Sequence, residues 1–352
     1  MIIFLVIVSL SVLIFIHELG HFLIAKFFRV KVEEFGIGFP PRVWSWGKGE
    51  TRYSINFLPF GGFVKIFGEN DSSSEKDGVP KDERNFANQL IWKRSAIILA
   101  GVAMNIMLGW VVLCGVFIVG APEYLMITDV VSDSPAYVSG VKSGDVVIKA
   151  SFSDRVLSAP IKSNDFIAFV KEQEGQEINL NLKRGENLMD IKIKGRINPP
   201  AGQGSLGIGL SEIGFPPNSF FSGVVEGTKA TINTLKLITV GFAQFFSKIF
   251  ITPKIVESVS GPVGIVTIAI QAGSLGLVYL FQLMALISLN LAVLNLIPFP
   301  ALDGGRFLML VLEKIKGGPI SKKIQIGINA FGFALLVLLM IVVTVKDVVK
   351  LF

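Results

Sequence analysis

Four stretches of this sequence are apolar for long enough to cross a lipid bilayer, and they constrain the fold more than any other feature. They run from about Ile2 to Ile24, Ser95 to Gly120, Gly276 to Ile297 and Gly327 to Val345. Each is close to the roughly 20 residues a helix needs to span about 30 Å of hydrocarbon. A bilayer offers no water to bond the backbone, so runs of this kind are expected to be helices. Composition agrees, since 51% of the 352 residues are hydrophobic and 17% charged, too apolar for an ordinary soluble chain. The first run lacks a basic start and an obvious small-residue cleavage site, and it carries His17, Glu18 and His21. It therefore reads as a retained span rather than a signal peptide. The single cysteine, Cys114, lies inside the second run and leaves no intrachain disulfide to form.

Basic residues near span ends set orientation, because positively charged short loops stay on the cytoplasmic side. Lys26, Arg29, Lys31, Lys93 and Arg94 fall between the first two spans, and Lys314, Lys316, Lys322 and Lys323 between the last two. Both loops are expected inside, with the N-terminus and the segment from about Ala121 to Gln271 outside. The net charge of +6 is thus a topology signal. No basic and aromatic pattern points to nucleic acid.

Between the spans the pattern changes. Phe35 to Gly68, with FGIGFPPRVWSW and YSINFLPFGGFVKIFG, reads as short hairpin strands broken by Gly and Pro, and Glu69 to Arg84 as a flexible polar loop. From Met126 to about Leu210 the strand-like runs MITDVV, DVVIKA, EINLNL and DIKIKG alternate with turns, so a small β-rich domain is expected outside. SLGIGL is one more possible strand. Ser219 to Phe250 is helical in pattern, but Glu226, Lys229, Lys236 and Lys248 interrupt it, which fits an interfacial helix better than a fifth span.

The chemistry is concentrated in IFIHELGHFL. His17 and His21 lie four residues apart and share one helix face, where two imidazoles can bind one zinc. Glu18 sits beside them. This is the HExxH arrangement, in which the metal makes a water more acidic and the glutamate takes its proton. The two histidines are the only ones in the chain, and Glu18 is the only acid in its span. Ionisable groups at membrane depth are costly enough to be kept for function.

Two histidines need a third protein ligand and an open position. Asp303, in SLNLAVLNLIPFPALDGG, is the candidate. Entering from outside, His17 lies about 24 Å along its helix at about 1.5 Å per residue, near the cytoplasmic side. The third span ends at that level. Pro298 and Pro300 break it there, and Gly304 and Gly305 permit the backbone bearing Asp303 to turn toward the metal. Asn295 is placed to bond the substrate backbone or a developing oxyanion, with Asn290 and Asn105 as possible assistants. The strand-like residues Ile55, Phe57 and Val64 are candidates for holding an unwound substrate by β-augmentation.

HELGH in the first span together with NLIPFPALDGG closing the third resembles the site-two protease family of intramembrane metalloproteases. The resemblance covers nearly the whole chain and includes EFGIGFPP, LPFGGFVK, AGVAMN, SGPVGI and, in SPAYVSGVKSGDVVIKA, a PDZ-like segment. The chain departs from the family pattern at Val102, where proline is usual, and after Ala150, where Ser151 and Phe152 replace an Asn-Gly or Asp-Gly turn. The resemblance implies a polytopic α-helical membrane protein of the bacterial inner membrane, with a membrane-associated β-hairpin region and one extracytoplasmic PDZ-like domain.

The expected divisions are 1–30 (first span with HExxH), 31–94 (β region and loop), 95–120 (second span) and 121–217 (PDZ-like domain), followed by 218–275 (interfacial helix and linker), 276–305 (third span with LDGG) and 306–352 (cytoplasmic loop and fourth span). It also implies a Zn2+ cofactor and, as substrates, single-span proteins already trimmed outside by another protease, such as an anti-sigma factor or remnant signal peptides. Two other classes meet part of the pattern: a zinc transporter, and a membrane PDZ scaffold with a vestigial metal site. Transport predicts further ligands along a path, and the spans contain few acids and no third histidine.

Overall fold

The computed structural model describes residues 2–47, 49–69, 82–248, 251, 261–318 and 320–349. Most of the polar loop expected at 69–84, and Phe250 and Ser260 of the stretches named above, lie outside these residues. In chain order, α1 (Ile2–Phe27) is followed by β1 (Val32–Trp46), β2 (Arg52–Ile66) and α2 (Ile91–Val119). Then come β3 (Ala121–Val130), α3 (Pro135–Val138), β4 (Val146–Phe152), β5 (Arg155–Ser158), α4 (Ser163–Glu172), β6 (Glu177–Arg184), β7 (Asn187–Lys194) and β8 (Ile208–Phe215). The helices α5 (Phe220–Lys248), α6 (Pro262–Leu275), α7 (Leu277–Leu296), α8 (Asp303–Lys316) and α9 (Lys322–Val349) complete it. Among the described residues four helices, α1, α2, α7 and α9, are long and apolar enough to cross a membrane. On α9, Phe331, Phe333, Leu338 and Ile341 are exposed, a surface suited to hydrocarbon rather than water. The helix α5, whose apolar residues are interrupted by charged and amide side chains, is not in that set.

The chain divides into two compact units, Met1–Cys114 with Glu226–Ala269 and Phe281–Phe352, and Gly115–Val225 with Ile270–Leu280. In the first, α1 packs on the β1–β2 sheet through Phe22 and Phe35, whose ring centroids are 5.0 Å apart. Ala25, Val30, Val32, Ile66, Ile97, Ile98 and Leu310 are buried together beside it. The strands are longer than the short hairpins their Gly and Pro residues predict. Ile37 pairs with Gly62 and also with Ile55, and Ile55 pairs again with Trp44. Each 15-residue strand therefore changes partner along its length, and the pair makes a four-run sheet in the order 62–66, 32–37, 52–56, 42–46.

Helices α2, α8 and α9 of the same unit are joined by a buried charge. Arg94 donates to Glu313 at 2.8 Å, and Glu313 also accepts from the Gln325 side chain at 3.1 Å. Asp347 of α9 accepts from the backbone N–H groups of Gly261 and Gly264, both at 2.8 Å, and so caps the start of α6. The segment around α6 reads in the sequence as a linker. It is instead a short apolar helix.

The second unit is a sheet in the order β7-β6-β4-β3-β8, with β5 also paired to β4. Alternation places Ile178, Leu180 and Leu182 of β6 on the buried face, where Phe166 and Phe169 of α4 cover them. Asp145, fully buried, is held by Arg184 through two bonds of 2.7 and 2.8 Å, which neutralises it. The β4–β5 turn falls at Ser153 and Asp154, two residues beyond Ser151 and Phe152, with Ser153 at φ 48°. SLGIGL contributes the start of β8.

Candidate metal centre

His17 and His21 project from the last turns of α1 into a cavity of about 380 Å³. Asp303 reaches the same point from the first residue of α8. The helix α7 stops at Leu296, and the chain passes Pro298 and Pro300 before Ala301 takes a φ of 72°. At Gly304 a side chain would stand 2.3 Å from Ile297 O, and at Gly305 2.2 Å from Phe299 O, so this tight reversal requires glycine at both positions.

His17 Nε2 lies 3.0 Å from Asp303 Oδ2, His21 Nε2 lies 3.3 Å from it, and the two nitrogens are 3.2 Å apart. Zinc bonds of about 2.0–2.1 Å in a tetrahedron imply ligand separations of roughly 3.3 Å. The three atoms thus occupy three corners of such a site. Asp303 Oδ2 is buried and accepts no hydrogen bond, which is costly for a carboxylate unless a cation takes its lone pair. His21 Nδ1 contacts the Ile97 carbonyl at 2.8 Å. Because a carbonyl only accepts, Nδ1 carries the proton and Nε2 presents a lone pair. The donor set of two imidazoles and a carboxylate fits zinc.

Glu18 shares the cavity. Asn295 does too, with Nδ2 3.4 Å from His17 Nε2. Of the expected strand residues, Val64 forms part of the wall together with Gly62, Phe63 and Ile66. Ile55 and Phe57 do not. Ile55 is an inner position of the sheet with partners on both sides, and Phe57 is exposed away from the cavity. Asn290 is also elsewhere, its amide donating to Leu286 O within its own helix. Asn105 stands behind His17 at 3.2 Å from Nδ1 and is not in the cavity wall.

Three further features escape a reading of the sequence. A side chain at Gly101 would stand 2.5 Å from His21 Nε2 and 2.7 Å from His17 Cε1, so only glycine lets α2 lie against the rings. Arg306, one turn beyond Asp303, lines the cavity and donates to Glu69 at 2.5 Å. The neighbouring Glu69 carboxylate pushes the guanidinium above its ordinary pKa, with burial opposing, so Arg306 stays charged. Its spacing from Asp303 was the available signal, whereas Glu69 fell in a segment read as loop.

An HExxH pair on a long apolar helix, with an aspartate from a second helix converging on it, fits a metal-dependent hydrolase. Comparison with known proteins is specific: residues 5–339 match the family described as Peptidase family M50. A provisionally named zinc metalloprotease of Clostridium acetobutylicum is 35% identical over 348 residues, covering 97% of this chain and 96% of the relative. Zinc metalloprotease RasP of Shouchella clausii is 30% identical over 97% of both chains, and the Regulator of sigma-W protease RasP of Bacillus subtilis 28% over 98% of both. The chain belongs to peptidase family M50, the site-two protease family. It is a zinc metalloprotease, and among the described residues four helices are able to span a membrane.

Proposed function

We propose that this enzyme hydrolyses peptide bonds within or near the membrane spans of single-span proteins that another protease has already shortened outside. Anti-sigma factors and remnant signal peptides are the substrate classes. The observation that carries this is the convergence of His17, His21 and Asp303 beside Glu18 in a cavity whose wall includes a sheet edge. The three convergent residues hold the zinc. When bound, zinc supplies Lewis acidity that polarises a carbonyl and makes water nucleophilic near neutral pH. Glu18 accepts the proton of the attacking water on its carboxylate and returns it to the leaving amide nitrogen. Asn295 hydrogen-bonds the substrate backbone or the oxyanion as charge develops. The name of the Bacillus relative, which links it to sigma-W, accords with anti-sigma substrates.

A substrate helix protects its own peptide bonds, so a scissile segment must unwind first. Run 62–66 has strand partners on one side only, among the described residues, and Gly62, Phe63, Val64 and Ile66 line the cavity. An unwound segment pairing there regains backbone bonds beside Glu18. Val64→Pro should therefore slow cleavage of a stable helical span about tenfold more than cleavage of a span already broken by Gly and Pro. The measurement is paired cleavage rates of the two substrates in detergent or liposomes. Equal losses on both would assign the effect to misfolding.

The β3–β8 sheet with α4 is the PDZ-like domain in this reading, lying outside the inner membrane with the N-terminus, while the metal centre lies near the cytoplasmic side. The helix α5 rests at the lipid interface. Single cysteines introduced at exposed Lys192 and near Lys316 test the topology in a Cys114→Ala background. The first should react with an impermeant maleimide from outside, and the second only after the membrane is opened. The reverse pattern would overturn the orientation.

A further inference from the structure

Both imidazoles are backed by the same helix. Ile97 and Asn105 of α2 stand behind His21 and His17, each on the Nδ1 side. For His21 the partner is a carbonyl and the tautomer is settled. For His17 the partner is an amide, whose oxygen and nitrogen are told apart by what they bond.

If Nδ2 faced His17 Nδ1, the ring would be protonated on Nε2, the atom 3.0 Å from Asp303 Oδ2 and 3.2 Å from His21 Nε2, and would offer no lone pair to a metal there. With the amide turned, Oδ1 accepts from Nδ1–H and Nε2 is left as a lone pair toward Asp303 and His21. Asn105 is 1% exposed. Its backbone is pinned in turn, since buried Ser288 of α7 donates to Asn105 O at 2.8 Å.

We infer that Asn105 is a positioning residue of the zinc centre, its side-chain oxygen accepting from His17 Nδ1 and so fixing the tautomer and ring orientation in which Nε2 ligates. This rests on the proposed ligation by His17. It differs from a substrate-binding role for Asn105, which the placement of its amide behind the ring does not support. Outer partners of this kind are worth about 10–100-fold in metal affinity.

The test is zinc affinity of purified, metal-stripped full-length protein in detergent, measured by competition with a chelator, alongside kcat and KM. Asn105→Leu should weaken zinc binding about 10–100-fold and lower kcat, with kcat recovering in excess zinc and KM unchanged. Asn105→Asp keeps the acceptor and should bind zinc within a few-fold of the parent. If Asn105→Leu does not fold by circular dichroism and gel filtration, Asn105→Ser, too short to reach the ring, takes its place.

Unchanged zinc affinity in the Leu or Ser variant would overturn the inference, as would equal losses in Asp and Leu, the result expected of a purely structural amide. A higher KM with zinc binding intact would return Asn105 to the substrate. His17→Ala in the same assay separates the two levels. If zinc binding is insensitive to His17 itself, the proposed ligation fails; if it depends on His17 but not on Asn105, only this inference fails.

Discussion

Glu18→Gln should reduce cleavage of a single-span substrate by about 10²- to 10⁴-fold, the usual contribution of a general base, while zinc stays bound. Glutamine has nearly the same shape and still fits the cavity beside His17, but it accepts no proton at neutral pH. The three convergent ligand atoms belong to His17, His21 and Asp303, so removing the carboxylate of Glu18 takes nothing from the metal. The readouts are initial rate and zinc content of the same preparation. Loss of zinc together with activity would move Glu18 into the ligand set, and a variant that cuts as fast as the parent would remove it from the chemistry. Zinc flux into vesicles, without cleavage by the parent, would indicate a transporter.

Asp303→Ala should remove both zinc and activity. On the proposed ligation the carboxylate supplies one of three protein corners, and without it two imidazoles remain on one helix face. The loss in zinc affinity should exceed the about 10–100-fold typical of outer-shell partners. Asp303 also opens α8, where an acid near the N-terminus contributes about 0.3–1 kcal/mol through the helix dipole. That is too small to explain disappearance of the metal. Asp303→Asn retains a polar first turn and isolates ligation from helix stability: it should lose most zinc yet unfold with the parent. Normal zinc content and cleavage in a folded Asp303→Ala would remove the residue from the centre.

What the sequence disclosed follows from the range of the interactions involved. The spacing of His17 and His21 is local, and their sharing of a face follows from helix geometry alone. The four long apolar helices were legible for the same reason, as the solvent selects them residue by residue. Register was not. Ile55 and Val64 look alike as apolar strand residues, and only the pairing of Ile37 with both Ile55 and Gly62 makes one an inner position and the other an edge. Asn105, Asn290 and Asn295 are likewise indistinguishable as span asparagines, and their roles depend on which helix each one faces. The helix α6 was hidden because Pro262, read as part of a linker, is its start, and Gly276, read as the start of the third span, is the break between α6 and α7. Asp347, which caps α6, comes from the far end of the chain.

The route by which Asp303 reaches the histidines also sets the order in which the residues of the centre are made. During synthesis the HExxH helix emerges first, and the aspartate arrives only after the intervening sheets and helices have left the ribosome. A nascent or truncated chain that ends before Asp303 carries His17, Glu18 and His21 without the aspartate that converges on them. On the proposed ligation, a product interrupted before Asp303 lacks a metal ligand, whereas one interrupted after it does not.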